Sequence, residues 1–281
     1  MTSGERVLQL RRILVALDAS PHSLAALQAA AELAAHMEAE LLGMFVEDVN
    51  LLRLAELPYA QEICVSSTTC RRLDVQQIER ELRAQETRVR RTLAAHAERV
   101  QVRWSFRVTR GVIAKELLTA AAQSDLITLG RAGRSLGERR LGSTTRAVLA
   151  DAPCLTLIIQ EGERLRFPMM VVYDGSPLAH KALTVAVSLV QGRDKHIVVF
   201  VPADDKESAT RIKAQATAFL QEHHMLWRYH VLMTPDVQRL VREIQMETKG
   251  TLVLPIESAA LPGDAILQLL DELEVPVLLV R

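Results

Sequence analysis

The residues best suited to chemistry are a run of glycines and hydroxyls. Gly130-Arg131-Ala132-Gly133 is followed by eight residues and then by Gly142-Ser143-Thr144-Thr145. Glycine lets a backbone approach a phosphate closely, and a helix opening just after such a run offers free N–H donors and a favourable dipole to an anion. Ser143 and Thr144 either donate hydroxyls to phosphate oxygens or simply cap that helix. Arg131 and Arg134 either clamp phosphates or keep the loop solvated. Asp18, at the end of the first strand pattern, would face the same crevice. An acid there accepts bonds from ribose hydroxyls or a base amine, or else closes off the strand end.

The elements that must position these residues occur twice. Arg12-Ile13-Leu14-Val15-Ala16-Leu17-Asp18-Ala19-Ser20-Pro21 is answered by Met169-Met170-Val171-Val172-Tyr173-Asp174-Gly175-Ser176-Pro177. Self-similarity of this kind decides the fold before any local detail does. Each Pro opens an Ala- and Leu-rich helical pattern, Leu24 to His36 and Leu178 to Val190, with Ser as its cap. A strand and a long polar helix follow in both copies: Leu41 to Val46 and Val75 to Glu98, then His196 to Val201 and Lys206 to His224. Arg–Glu spacing on Val75 to Glu98 marks a solvated outer face.

The order continues as strand, helix, strand, connector, short helix, strand. In the first copy these fall at Arg103 to Val108, Ile113 to Gln123, Leu126 to Leu129, Thr145 to Asp151 and Cys154 to Ile159. In the second they fall at Trp227 to Met233, Val237 to Glu247, Thr251 to Leu254, Ala265 to Leu273 and Val277 to Val280. Strands apolar on both faces, alternating with helices, predict an α/β fold of two tandem, doubly wound, five-stranded parallel sheets, Rossmann-like in layout. Ligands of such sheets sit at the carboxyl ends of the strands. The charged stretch Glu161 to Arg166 is the expected linker, which divides the chain into residues 1–162 and 163–281. Asn50 to Leu73 is an insertion found only in the first copy, and is expected to be a flexible flap or an interaction surface.

Composition narrows the function classes. Lysine plus arginine equals aspartate plus glutamate at 34 each, so the global attraction that drives nucleic-acid binding is missing. No uncharged apolar run is long enough to span a membrane, and Met1 to Gln9 lacks the layout of a secretory signal, which places the chain in the cytoplasm. Cys64, Cys70 and Cys154 form no metal-ligand pattern and are expected to be reduced and unreactive. His223-His224 lacks further ligands at metal spacing and is expected to be a solvated pair. No G-x-S-x-G elbow, SGGxDS loop or GxxxxGK[ST] loop is present, so hydrolase or kinase machinery is not visible.

Asp18, Gly130, Gly133, Gly142 and Ser143 together resemble the ATP motif of the universal stress protein family. The closing strand Asp151-Ala152-Pro153-Cys154-Leu155-Thr156-Leu157-Ile158-Ile159 resembles that family's last strand. The family pattern places nine residues between the second and third glycines where this chain has eight, so ATP, ADP, AMP or an empty site all stay open, with Mg2+ accompanying ATP. By the same resemblance the Val46 backbone would touch the adenine, and last strands would pair to make an internal pseudo-dimer, with a further homodimer and an unknown protein partner left open. The second copy keeps Asp174, Gly175 and Ser176, but Pro255 to Asp264 carries no paired glycines. Its Glu257 and Asp264 would set carboxylates on the phosphate path, at a cost of several kcal/mol for like charges ~4 Å apart. The resemblance therefore implies a nucleotide-binding stress-response protein with a structural or partner-facing second copy. A slow ATPase relying on Asp18, or a scaffold with both sites empty, is the alternative.

Overall fold

The computed structural model describes residues 8–64, 69–131, 141–190, 195–233, 236–247, 249–258 and 263–281; of 62–64, 69–72, 263 and 264 it describes the backbone alone. The first half runs β1 (Arg12–Ala16), α1 (Pro21–His36), β2 (Glu40–Asp48), α2 (Val49–Glu56), β3 (Gln61–Cys64), β4 (Thr69–Arg72), α3 (Val75–Arg99) and β5 (Trp104–Gly111). It closes with α4 (Ile113–Ala121), β6 (Leu126–Gly130), α5 (Ser143–Asp151) and β7 (Leu155–Ile159). The second half repeats the frame as β8 (Met169–Val172), α6 (Pro177–Val190), β9 (His196–Ala203), α7 (Lys206–Glu222), β10 (Leu226–Met233), α8 (Val237–Met246), β11 (Thr251–Pro255), α9 (Gly263–Glu272) and β12 (Val277–Val280).

The helices start where their caps dictate. Ser20 accepts the Ser23 amide with Pro21 in the first helical position, and Ser176 accepts the Ala179 amide in the same way, so α1 and α6 leave their strands through one turn design. Within it Asp18 Oδ1 holds the Ser20 amide and Asp174 Oδ1 holds the Ser176 amide, each at 2.9 Å. The middle residue of the turn must take a positive φ: Gly175 does so at 82° and Ala19 at 61°.

Ten strands form one sheet in the order β10-β9-β8-β11-β12-β7-β6-β1-β2-β5. Within this sheet the described pairings inside each half are parallel, and the central β7–β12 pair is antiparallel. Leu157 stands opposite Leu278, flanked by Ile158 against Val277 and Thr156 against Leu279. The Arg131 amide bonds the Ile159 carbonyl and the Ile256 amide bonds the Val280 carbonyl, so Ile159 and Val280 are equivalent positions. Counting back makes Leu157 the equivalent of Leu278, and a pseudo-two-fold axis passes between them.

Burial follows this layout. β7, β8, β11 and β12 are buried throughout, whereas the edge strands β5 and β10 are only partly covered. One apolar cluster runs continuously across the seam, from Ile13 and Val15 through Leu157 and Ile159 to Leu278 and Val171. The opposite face is split: Leu14, Met44 and Ile127 pack with Leu117 of α4, and Val172 and Leu254 pack with α8 and α9. Leu141, Leu149 and Ile158 of the first half belong to that last cluster, so the halves interlock on this side too.

The described residues of the insertion Asn50 to Leu73 form a helix and two short strands. Asp48 caps α2 by accepting the Asn50 amide at 2.9 Å, and Leu52 and Ala55, three residues apart, are buried. β3 and β4 then form an antiparallel pair outside the main sheet. The long helix α3 does carry a solvated Glu79–Arg83 face, but Ile78, Leu82, Val89 and Leu93 are buried on its other side. Of His223 and His224, only His224 is exposed: the Nδ1 of half-buried His223 meets the Phe219 carbonyl at 2.9 Å and its ring lies tilted against Phe219. Among the described residues no helix is long and apolar enough to cross a membrane.

The seam and the turn can each be probed by one substitution. Leu278→Ala removes a side chain only 2% exposed from the pseudo-axis, and is expected to cost about 3 kcal/mol in urea unfolding. Ala19→Gly relieves a left-handed residue worth ~1–2 kcal/mol while adding ~0.5–1 kcal/mol of chain entropy. A net gain of about 0.5–1 kcal/mol in the same assay is expected.

Candidate functional site

A cavity of about 350 Å³ opens at the carboxyl ends of β1, β2 and β6. The chain passes from β1 outward to β2 and β5, then returns to the other side of β1 for β6 and β7. The cavity therefore lies at the topological switch point, where α1 and α5 pack on opposite faces of the sheet.

Asp18, Ser20 and Ser23 form one wall. The bond from the Ser20 amide fixes the Asp18 carboxylate, and among the described residues no hydrogen bond engages its second oxygen. Val46 lies on the cavity floor. The Leu17 amide bonds the Met44 carbonyl at 2.9 Å, and β1 then turns into α1. Val46, two residues on, presents the same strand edge, so its backbone amide and carbonyl face the gap that β1 vacates.

Gly142, Ser143, Thr144 and Thr145 form the opposite wall. The helix α5 starts at Ser143, two residues earlier than its sequence pattern indicated, with Gly142 as its cap residue. Ser143 and Thr144 thus sit in the first turn rather than capping it. Among the described residues no side chain caps this terminus and no acid occupies its first turn, so the opening amides and the positive dipole end suit an anion. Thr145 ties the helix to the sheet by donating its hydroxyl to the Gly130 carbonyl at 2.9 Å. Gly130 itself passes under α1 so closely that a Cβ would stand 2.8 Å from the His22 carbonyl carbon, and only glycine fits there.

Not every expected site residue converges here. Arg131 has its side chain elsewhere: it is 8% exposed, and its guanidinium bonds the Leu273 and Asp271 carbonyls at the end of α9 and Gln160 Oε1. The expected phosphate clamp and the expected solvated side chain are both replaced by a contact between the halves. The reason is electrostatic, since the carboxyl end of a helix attracts a cation. Gly133 and Arg134 lie outside the described residues. Leu51 of α2, Leu82 and Gln85 of α3, and Ile113 and Leu117 of α4 also line the cavity, and no motif marked them.

The equivalent turn of the second half is closed on itself. Ser258 donates to the second oxygen of Asp174 at 2.7 Å, a bond that Asp18 lacks among the described residues. Glu257 lines a separate hollow between α5 and α9, and the side chain of Asp264 lies outside the described residues. Among the described residues no three His, Cys, Asp or Glu side chains cluster for a metal. Burial pushes the Cys154 thiol up to about 11, so it stays protonated near neutral pH and unreactive.

The universal stress protein family model matches residues 9–160, more than half of the chain. A universal stress protein from Archaeoglobus fulgidus DSM 4304 superposes with a TM-score of 0.74 at 18% identity, covering 96% of this chain and 98% of its own. A functionally unknown protein from Pseudomonas aeruginosa PAO1 superposes at 0.59 with 16% identity, over 96% of this chain and 92% of its own. No curated protein matches the chain. Both structures share the whole two-copy architecture, and the matched region contains the switch-point cavity together with Asp18, Gly130 and Gly142. The chain belongs to the universal stress protein family, as a tandem member that carries the fold twice.

Proposed function

We propose that the chain is a cytoplasmic stress-response regulator that binds an adenine nucleotide, ATP first among them, in a first domain of residues 1–162. The second domain, residues 163–281, is structural or partner-facing. One observation carries this reading: Asp18, whose second oxygen has no hydrogen bond among the described residues, and a helix start that no described side chain caps face each other across a cavity at the switch point.

Each part of a nucleotide has a matching surface. The Val46 backbone and the apolar side chains of Leu51, Leu117 and Leu129 suit a purine, which stacks on hydrocarbon and needs only one or two edge bonds. Asp18 suits ribose hydroxyls, and the amides and hydroxyls of Gly142, Ser143 and Thr144 suit phosphate oxygens. Mg2+ would enter as the counter-ion of a triphosphate. The volume falls within the ~300–1,000 Å³ usual for small-molecule sites.

Thermal shift and titration calorimetry with ATP, ADP and AMP test the reading. Asp18→Ala is expected to weaken the preferred nucleotide at least about tenfold, the equivalent of one charged hydrogen bond. Asp174→Ala, in the self-closed turn, is expected to change affinity less than about twofold, well inside the RT ln 10 of a tenfold effect. Absence of binding by all three nucleotides would overturn the proposal. Phosphate release that stops in Asp18→Ala without loss of binding would make the protein an enzyme instead.

A further inference from the structure

The segment that leads from β6 into α5 is held at both ends by the other half of the molecule. At its start, Arg131 is buried, and its guanidinium bonds the Asp271 and Leu273 carbonyls at the carboxyl end of α9. Gln160, which also bonds Arg131, donates its own Nε2 to the Glu274 carbonyl at 2.7 Å. At the segment's end, the Leu141 amide donates to Asp271 Oδ1 at 2.8 Å, and Arg146 Nη2 pairs with Asp271 Oδ2 at 2.8 Å. Arg146 Nε returns to the Leu141 carbonyl at 3.1 Å, and the Gly142 amide bonds the Arg131 carbonyl at 2.9 Å, which joins the two ends. One residue, Asp271, thus engages the segment at both ends, through its main-chain carbonyl and through both carboxylate oxygens.

This anchor lies next to the groups that a phosphate would meet. Gly142, Ser143 and Thr144 line the cavity, and Leu141 immediately precedes them. The direction of the opening amides of α5 depends on where Leu141 and Arg146 are held. A helix start that binds an anion contributes most when its donors are already fixed, because ordering them on binding costs affinity.

We propose that Asp271 is a positioning residue for the phosphate side of the first-domain site, and that the second domain serves as the fixed support of a pocket it does not line. The proposal rests on the reading of the cavity as an adenine nucleotide site. It assigns the second copy a specific role, in which nucleotide affinity is set across the β7–β12 seam. Any partner that shifts α9 then changes affinity without touching the nucleotide.

The test uses the full chain with Asp271→Ala and Asp271→Asn, and two probes, ATP and adenosine. Adenosine uses Asp18 and the purine wall but does not reach the start of α5. Asp271→Ala is expected to weaken ATP about tenfold, as loss of a charge-assisted contact does, and to leave adenosine within about twofold. Asp271→Asn keeps an oxygen for the Leu141 amide while losing the Arg146 ion pair, so its effect on ATP is expected to fall between wild type and Asp271→Ala. An equal loss for ATP and adenosine would mean general loosening and would overturn the proposal, as would unchanged ATP affinity. Hydrogen exchange of nucleotide-free protein supplies a separate readout. The amides of residues 141–146 are expected to exchange about tenfold faster in Asp271→Ala than in wild type, while those of β1 and β8 hold their rates. If wild type binds neither probe, the nucleotide reading fails and exchange alone decides: unchanged rates at 141–146 overturn the anchor.

Discussion

The antiparallel pairing of β7 with β12 is the constraint on which the rest of this molecule depends. A five-stranded parallel sheet ends in an apolar strand with one open edge, and Leu155–Ile159 and Val277–Val280 are such strands, each closing the other's edge. Pairing them turns two marginal sheets into one, lets a single apolar cluster run under both halves, and brings the carboxyl end of α9 against the connector that leads into α5. The same bonds that protect an edge therefore also bring a second-half acid to the first-half site. Without the seam Arg131 would have no helix end to reach, and Asp271 would have no Leu141 amide to hold.

Much of this architecture was legible in the sequence because it is written twice. Asp18-Ala19-Ser20-Pro21 and Asp174-Gly175-Ser176-Pro177 mark the same strand-to-helix turn, and the buried-type strands that precede them fix the sheet. The start of α5 was legible only to within two residues, since Ser143 and Thr144 are themselves good cap residues and the cap falls on Gly142 instead. Three features were not legible. The helix α2 has two buried residues, Leu52 and Ala55, and an Asp48 cap, too little periodicity to separate it from a loop. Gln85 and Leu82 sit on a helix whose charged face dominates the pattern. Arg131 has its partners about 140 residues away, and neighbouring residues hold no information about a contact at that separation.

The two copies have diverged where chemistry would demand it and remained alike where folding does. Both turns hold their acid through one oxygen to a backbone amide. In the second copy Ser258 takes the other oxygen, and glycine supplies the positive φ at little steric cost. In the first copy the second oxygen lines an open cavity, and Ala19 holds the same backbone under strain. A strained residue persists when its surroundings over-determine it, and such residues gather at ligand sites. The less comfortable turn is thus the one whose acid keeps a second oxygen without a partner among the described residues, which is the arrangement expected if the first copy binds and the second supports.

The seam itself shows why a single chain can do what two identical copies cannot. Its pseudo-two-fold axis generates a pair of equivalent hollows, one lined by Arg131, Ile158 and Gln160, the other by their equivalents Ile256, Leu279 and Arg281. In a dimer of identical chains both would carry the same residue. Here Arg131 fills the first to about 10 Å³, while Ile256 leaves about 300 Å³ in the second. A guanidinium suits the first hollow because the Asp271 and Leu273 carbonyls at the end of α9 accept it there. After β11 the equivalent position is Ile256, and Ser258, two residues on, bonds Asp174 instead. The asymmetry of packing at the seam and the asymmetry of the two crevices therefore meet at one place, the carboxyl end of β6, where Gly130 lines the crevice and Arg131 fills the hollow.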